Sequence, residues 1–539
     1  MLDVLDRDGV VLRYQLERAA RVAPDQTCVV FEDGSSWTRA EALREACASA
    51  NELSRAGATR DRAVAAALPN GPAYLRTWWG AAMLGAPVVP FNTAYRGPMV
   101  RRLMRQAKPA VVVTTSQFRP HLIDAMDDAA TGDLPAPAAL LLDPAEIVGS
   151  DATTPVLDRP IEPWEPISLA LTSGSTGPSK LVRVTYAQSM DSGQVNFSLW
   201  DIGAPDTYLS DIPMVHVSAL YFLHASVGNL TRITVRSRPA LDHYWEVARD
   251  TGATVSQLYS TMITYLDAQP PRGAERTHRL RVVVTVPLPP DPTGFAAKFG
   301  IEHLAIGYGS TETSCPIAAR PGDGLPPGSI GRLRPGWDVR LVDEHDVEVP
   351  TGQPGEAVIR SSKPWLITTE YVDNPETTAH AWRNGWFHTG DLLCRDADGT
   401  FYYVDRLKDV IRRRGQNISS YEVESVIRTY PGITDVAIVA ERSGVESEDE
   451  VKAWLIVKEP ARMDFVDLLQ FCTDRLAHYM VPRYFEIIDE FPRTASAKVK
   501  KQELRDRGGS ERTWDRVVYG FDVRRTGLIT IGGRRVDVR

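Results

Sequence analysis

The sequence predicts an α/β protein in two unequal parts. A large amino-terminal domain of several subdomains, residues 1–404, carries α/β layers and a β-rich section; a small α+β domain, residues 409–539, follows a hinge at 405–408. Three observations predict this. Helix-spaced apolar segments alternate with short apolar runs as far as about Ile306. Strand-like runs then succeed one another at 330–342 and 357–360. The texture changes again after the charged cluster Asp405-Arg406-Leu407-Lys408, where the alternation of a compact α+β unit begins.

The elements follow in order. Segments 12–21 and 39–56 have helical spacing and helix-forming residues, and the runs 27–31, 63–67, 86–90 and 110–113 read as strands between them. Such alternation gives parallel strands covered by helices. Residues 130–163, rich in Ala, Asp and Pro, read as loops. The second domain reads as strand 409–412, helix 421–428, strands 435–440 and 451–457, helix 464–477 and strand 484–488. The tail 528–538, centred on Gly532-Gly533, resembles a β-hairpin.

A chain of 539 residues exceeds one compact core. Its net charge of −8 argues against a nucleic-acid surface, so any anion site is local. The five cysteines are scattered without a CxxC pair, which suggests neither a disulfide framework nor a zinc site and fits a reducing cytoplasm. No apolar run is long enough to span a membrane, and the acidic start does not read as a signal peptide. Lysine is scarce, ten of the 61 basic residues. A lysine inside a motif is therefore less readily a chance surface charge.

Five stretches carry chemistry. Thr172-Ser173-Gly174-Ser175-Thr176-Gly177-Pro178-Ser179-Lys180 follows the apolar Leu169 and Leu171, so it leaves the end of a strand. Glycines bend it, hydroxyls and backbone N–H groups converge on an anion, and Lys180 adds charge: a phosphate loop, though without the GK[ST] of a Walker loop. Tyr308-Gly309-Ser310-Thr311-Glu312 offers a ring for a base, a hydroxyl, and a carboxylate for Mg²⁺. His388-Thr389-Gly390-Asp391 offers a carboxylate for ribose hydroxyls. The cluster at 405–409 marks the boundary. Residues 492–498 form a small-residue loop ending in Lys498. Singly, each also reads as an ordinary feature: a surface linker, a turn around a buried tyrosine, a helix-capping aspartate, a solvated charge cluster, an exposed loop.

In this order and over nearly the whole chain, the set resembles the adenylate-forming superfamily of acyl-CoA synthetases, carrier-protein adenylation domains and luciferases. Residues 92–97 and 513–516 look most like its crotonobetaine/carnitine-CoA ligase branch. The resemblance implies an acyl-CoA synthetase-like fold with a mobile carboxy-terminal domain. It implies an acid–thiol ligase that uses ATP, Mg²⁺ and coenzyme A on a small carboxylic acid by way of its acyl-adenylate. By similarity, Thr172–Lys180 embraces the β- and γ-phosphates, and Tyr308 and Gly309 adjoin adenine. Thr311 touches the α-phosphate, Glu312 holds Mg²⁺, and Asp391 and Arg406 bind ribose. Lys408 is the hinge, Lys498 meets both the carboxylate and the α-phosphate, and Gly415 lines the pantetheine tunnel. His216 matches a ring gating the acyl site, and equally reads as a packed core histidine. The acyl pocket is expected near Val217, Leu220, Tyr259, Val284, Thr285 and Val286.

Three departures fall on one half-reaction. Ala497 stands where relatives have glycine before the lysine, Val284-Thr285-Val286-Pro287 where they read GGAP, and Leu181 where glycine follows the loop lysine. Branched side chains there are expected to narrow the pocket, and Ala497 to displace Lys498. The alternative reading is therefore a ligase confined to thioester formation from an adenylate supplied by an upstream adenylating enzyme. A carrier-protein loading enzyme and a non-catalytic binding relative complete the set.

Overall fold

The computed structural model describes residues 6–530 except 94, 96–97, 127–138, 173–179, 271–272, 274, 287, 290, 325, 408, 410, 414–415, 443–448, 459–462, 477, 494–497 and 525–526. The α/β alternation resolves into two mostly parallel sheets. One has seven strands in the order His303–Ala305, Val282–Val286, Val255–Tyr259, Thr207–Ser210, Arg232–Val235, Thr27–Phe31 and Ser36–Thr38, the last antiparallel. The other has six, ending in Pro166–Leu171 and an antiparallel edge strand, Leu181–Thr185. Strands with near-continuous burial, such as Val64–Ala67 and Val111–Thr114, match sheets covered on both faces.

Local chemistry sets the helix starts. Thr38 and Glu41 form a reciprocal capping box that begins the helix Arg39–Arg55. The Thr185 hydroxyl accepts from the Gln188 N–H and begins the helix Tyr186–Leu199. This helix packs on Val217–Gly228 at Gly193, where an added Cβ would lie 2.2 Å from the Tyr221 carbonyl oxygen. Only glycine permits that approach.

The β-rich section is an eight-stranded antiparallel sheet that begins at Gly307–Ser310, directly after the parallel strand His303–Ala305. The expected strand 330–342 is two, Ser329–Leu333 and Trp337–Val342. Pro335, between them, lacks the N–H that a continuous central strand needs.

A separate apolar core runs from Ile411 to Leu528. It lies on a four-stranded sheet of Ile433–Arg442, Asp449–Val457, Tyr484–Ile487 and Trp514–Asp515 with the helices Ser420–Ile427 and Phe465–Arg475. The first helix starts at Ser420 because Asp405 Oδ2 accepts from both its N–H and its hydroxyl, each at 2.6 Å. The described residues end on a hairpin of Phe521–Arg524 and Gly527–Thr530, and the expected hairpin at 528–538, with Gly532-Gly533 at its centre, lies outside the described residues beyond 530. The five cysteines are free thiols. Among the described residues no helix is long and apolar enough to cross a membrane.

Candidate active site

The carboxyl ends of the seven-stranded sheet, the hairpin of the six-stranded sheet and the start of the antiparallel sheet meet in one cleft. Open α/β sheets place ligands at such strand ends. At its centre Asp391 and Arg406 face each other in register on adjacent antiparallel strands, with Arg406 Nε 2.8 Å from Asp391 Oδ1. The buried Tyr308 donates its hydroxyl to Asp391 Oδ2 at 2.8 Å. Burial pushes the Asp391 carboxyl up, and the Arg406 charge pulls it back. The pair thus sits oriented at the strand edge, with its second carboxylate oxygen fixed by Tyr308. Replacing Tyr308 by Phe removes a buried donor to a charged acceptor, a loss of about 1.5–3 kcal/mol. At the nucleotide site that the resemblance implies, the expected result is a KM for ATP raised roughly tenfold or more with a smaller change in kcat, read from steady-state kinetics.

Tyr308 leads into a tight turn. Gly309 forms a bulge between the paired Tyr308 and Ser310, and an added Cβ there would lie 1.8 Å from the Ser314 carbonyl oxygen. The turn presents Thr311 and Glu312, both half-buried. Its backbone is held from below. Gln188 Nε2 donates to the Thr311 carbonyl at 2.8 Å, and the Thr368 N–H to the Glu312 carbonyl at 2.7 Å. The Ser314 hydroxyl donates to Asp191 Oδ2 at 2.9 Å, and Arg334 grips both Asp191 oxygens at 2.9 and 3.0 Å.

Glu312 Oε1 accepts from the Tyr371 hydroxyl at 2.9 Å, and Lys180 Nζ stands 4.9 Å from the centre of the Tyr371 ring. One tyrosine therefore links the lysine of the phosphate loop to the carboxylate assigned to the metal. Among the described residues no three His, Cys, Asp or Glu side chains cluster to hold a metal alone. That donor set fits Mg²⁺, which is commonly held by one or two carboxylates completed by phosphate oxygens.

Ser173, Gly174, Ser175, Thr176 and Gly177, expected at the phosphates, lie outside the described residues. The ends of the loop are closed: the Thr172 N–H donates to the Lys180 carbonyl at 2.9 Å, and the Lys180 N–H to the Thr172 hydroxyl at 3.3 Å. The loop joins two antiparallel strands, with Leu171 opposite Leu181, so no helix amino terminus follows it. Leu181 is fully buried in the apolar cluster of Phe91, Val100 and Leu103. Its side chain therefore fills core.

At the acyl end His216 precedes the helix Val217–Gly228 and its ring centre lies 6.3 Å from that of Tyr259. Burial and then the Lys498 charge lower the His216 pKa, so the ring is neutral near pH 7. Val217 and Tyr259 are half-buried, and the Tyr259 hydroxyl bonds that of Ser218. Leu220 is buried in the main core. The strand Val282–Val286 is buried up to its last residue. Val284 packs in the core and Thr285 is fully buried with its hydroxyl toward the Ala305 carbonyl, while Val286 is 46 % exposed. The expected narrowing by three branched side chains thus reduces to Val286.

Lys498 reaches this cleft from the carboxy-terminal domain. It follows an isolated bridge position at Arg493, paired with Val499, and precedes the helix Lys501–Arg507. That helix is anchored by Lys501 to Glu424 (2.7 Å) and by Arg505 to Asp409. Lys498 keeps solvent contact along the open cleft. The surrounding walls, and then the Arg406 charge, lower its pKa, against opposing pulls from Asp391 and Glu312. Lys408, Gly415 and Ala497 lie outside the described residues.

Sequence reasoning missed Tyr371, Gln188, Asp191 and Arg334. Tyr371 enters because residues 370–372 lie along the strand Leu181–Thr185, bridging Val182. No local pattern marks any of the four; each acts across a long stretch of chain.

A family model described as AMP-binding enzyme matches residues 16–371, and one described as AMP-binding enzyme C-terminal domain matches residues 422–498. Crotonobetaine/carnitine–CoA ligases of Salmonella agona and Salmonella typhimurium are each 29% identical, over 92% of this chain and 99% of theirs. ATP-bound MatB from Rhodopseudomonas palustris has a TM-score of 0.81 at 23% identity, covering 92% of this chain and 98% of that one. The o-succinylbenzoate coenzyme A synthetase MenE from Bacillus subtilis, in complex with ATP and magnesium ion, has 0.79 at 22%, covering 91% and 99%. Both show likeness of fold.

Proposed function

Since this chain belongs to the AMP-binding enzyme family, we propose that it is an AMP-forming acyl-CoA ligase. It joins a small carboxylic acid to CoA by way of an acyl-adenylate. One observation carries the reading: Lys498 of the small domain shares electrostatic surroundings with Asp391, Arg406 and Glu312 of the large one. That is the charge pattern needed to bring a carboxylate to a nucleotide α-phosphate. The curated relatives named as CoA ligases, aligned over nearly the full length, support the thiol acceptor.

In the first half-reaction the acid's carboxylate oxygen attacks the α-phosphorus and pyrophosphate departs. Lys498 faces both reactants, screening their repulsion and the charge that builds in the transition state. Asp391 accepts from the ribose hydroxyls while Arg406 and Tyr308 hold it in place. Lys180, braced on Tyr371, and the hydroxyls of the 172–180 loop take the β- and γ-phosphates. Glu312 with Thr311 would hold Mg²⁺, which neutralises phosphate charge when bound. His216, kept neutral, offers a wall to the acid's carboxylate end without competing as a charge. In the second half-reaction the thiol of CoA attacks the acyl carbonyl carbon, the C–O bond to phosphate breaks, and AMP leaves with the electron pair. We assign the hinge to Lys408 and the pantetheine path to the Gly415 loop on the resemblance.

The thioester-only reading gains no support. Leu181, Val284 and Thr285 fill core, and Val286 alone reaches the surface of the cleft. Ala497, the remaining departure, lies outside the described residues. Incubation with ATP, Mg²⁺, CoA and a panel of carboxylic acids is expected to give AMP and an acyl-CoA of matching mass. Absence of AMP with every acid overturns the reading.

Adenylation requires protonated Lys498. Because its pKa is lowered, its charge is lost at a lower pH than for an ordinary lysine. Pyrophosphate exchange should therefore fall on an alkaline limb below about pH 10.4, the usual lysine value. A limb at or above that value contradicts the desolvated placement.

A further inference from the structure

The acyl end has a charge character that narrows the substrate class. Tyr259 and Val286 stand side by side in register at the carboxyl ends of their parallel strands. His216, whose ring centre lies 6.3 Å from that of Tyr259, and Val217 and Ser218 at the start of the helix that follows it complete this wall. Among the described residues that wall holds no Lys or Arg. Lys180 braces Tyr371 and Lys498 faces Asp391 and Glu312, at the phosphate and carboxylate end.

Directly past the carboxyl end of the strand that neighbours Val255–Tyr259 is an acidic group that the ligase mechanism does not use. Asp211 follows the strand Thr207–Ser210 and is 1% exposed, with Oδ1 lacking a hydrogen-bond partner. Its charge acts on Tyr208, Tyr244 and Tyr259. Its own backbone N–H and then the Arg236 charge act against burial, and Arg236 Nη2 lies 2.6 Å from Glu32 Oε1, which offsets that charge. A cationic partner for a second substrate anion is therefore missing among the described residues here, and a buried carboxylate stands in its place. An unpaired anion buried beside another is strongly disfavoured.

We propose that this ligase takes monocarboxylic acids whose far end bears no negative charge, and that Asp211 is the residue that excludes acids with a second carboxylate. The proposal rests on the acyl-CoA ligase reading. For a separation on the order of 8 Å, two like charges at an effective dielectric of about 20 oppose each other by roughly 30-fold in binding. A monoamide of the same acid keeps the shape and the polarity of the far end and loses the charge. Its amide donors also suit the Ser218–Tyr259 hydroxyl pair.

The exclusion has a pH signature. Burial pushes the Asp211 carboxyl up to about 7. Above that pH the group is ionised and the exclusion is complete; below it the group is protonated and the exclusion relaxes. The groups facing it do not titrate in this window. Tyr208, Tyr244 and Tyr259 are pushed upward by burial, His216 is pushed downward, and Arg236 is a guanidinium.

The test compares diacids of four to eight carbons with their monoamides, using the full chain with ATP, Mg²⁺ and CoA. The ratio of kcat/KM, monoamide over diacid, is expected at about 30 or more at pH 8 for the best chain length, and to shrink toward pH 6. Asp211→Asn should bring it below about 3 and remove its pH dependence, with the monoamide rate serving as the folding control. Diacids used as readily as monoamides by the unmodified protein overturn the proposal and leave the ligase reading intact. A ratio unchanged in Asp211→Asn overturns the role of Asp211. If that variant does not fold, the pH dependence of the unmodified protein decides: a flat ratio between pH 6 and 8 refutes it. No AMP from any acid of either series, nor from a wider acid panel, removes the ligase reading itself.

Discussion

Lys498→Ala should slow acyl-adenylate formation by about 100- to 1,000-fold, the usual loss when a preorganised charge leaves a transition state. Lys498 is the carboxy-terminal residue whose charge acts on Asp391 and on His216, and Glu312 in turn acts on it. Without it, the large domain offers Arg406, already engaged by Asp391 at 2.8 Å, and Lys180, tied to Tyr371. Neither is placed between an incoming carboxylate and an α-phosphate. Thioester formation from a synthetic acyl-adenylate and CoA should change by less than about threefold, because the phosphate charge is then already distributed and AMP is the leaving group. Pyrophosphate exchange reads the first step and CoA-thioester release from added adenylate reads the second. An equal loss in both would make Lys498 a structural residue.

Gly309→Ala should be the most damaging single methyl in the large domain's site. The new Cβ would lie 1.8 Å from the Ser314 carbonyl oxygen and 2.9 Å from its carbon. Both are backbone atoms, so a rotamer change cannot relieve the clash. Ser314 cannot yield easily either. Its φ is +56°, its hydroxyl is bound to Asp191, and Asp191 is held by Arg334. The turn must therefore move, and it carries Thr311 and Glu312. Overpacking of this kind costs about 1–3 kcal/mol or more. A displacement of roughly 1 Å at the reacting groups costs about 100-fold in rate. Thermal melting and ATP-dependent AMP release measure the two effects. A variant with the melting temperature and activity of the parent would show that the turn is not fixed by this contact.

Much of the site is legible in the amino-acid order alone. The loop ending at Lys180, the turn at Tyr308–Glu312, Asp391 and Lys498 all carry their chemistry in a few consecutive residues. What is not legible follows from where each side chain packs. Val284, Thr285 and Val286 read as one branched stretch, yet two are core and one is exposed, because Val286 is the last residue of its strand and extends past the packing that covers Val284 on the same face. Leu181 reads as a departure from the family pattern after the loop lysine, and its side chain is buried in core, opposite Leu171. Pro335 is the local signal that splits one expected strand into two, and Asp405 the remote one that moves a helix start to Ser420.

The sequence by itself determined which groups this protein can use: a glycine- and hydroxyl-rich anion loop, a carboxylate after a tight turn, and a lysine in a small-residue loop of a lysine-poor chain. These depend on local backbone demands and on residue chemistry, which act within a few residues. The tertiary structure alone decided which of them meet and in what charge state. It set Arg406 against Asp391, inserted Tyr371 between Lys180 and Glu312, and brought Lys498 across from the second domain. It also buried Asp211 near Tyr259 without a partner for Oδ1. Desolvation and Coulomb energy depend on what packs around a group, and here those neighbours lie far apart along the chain.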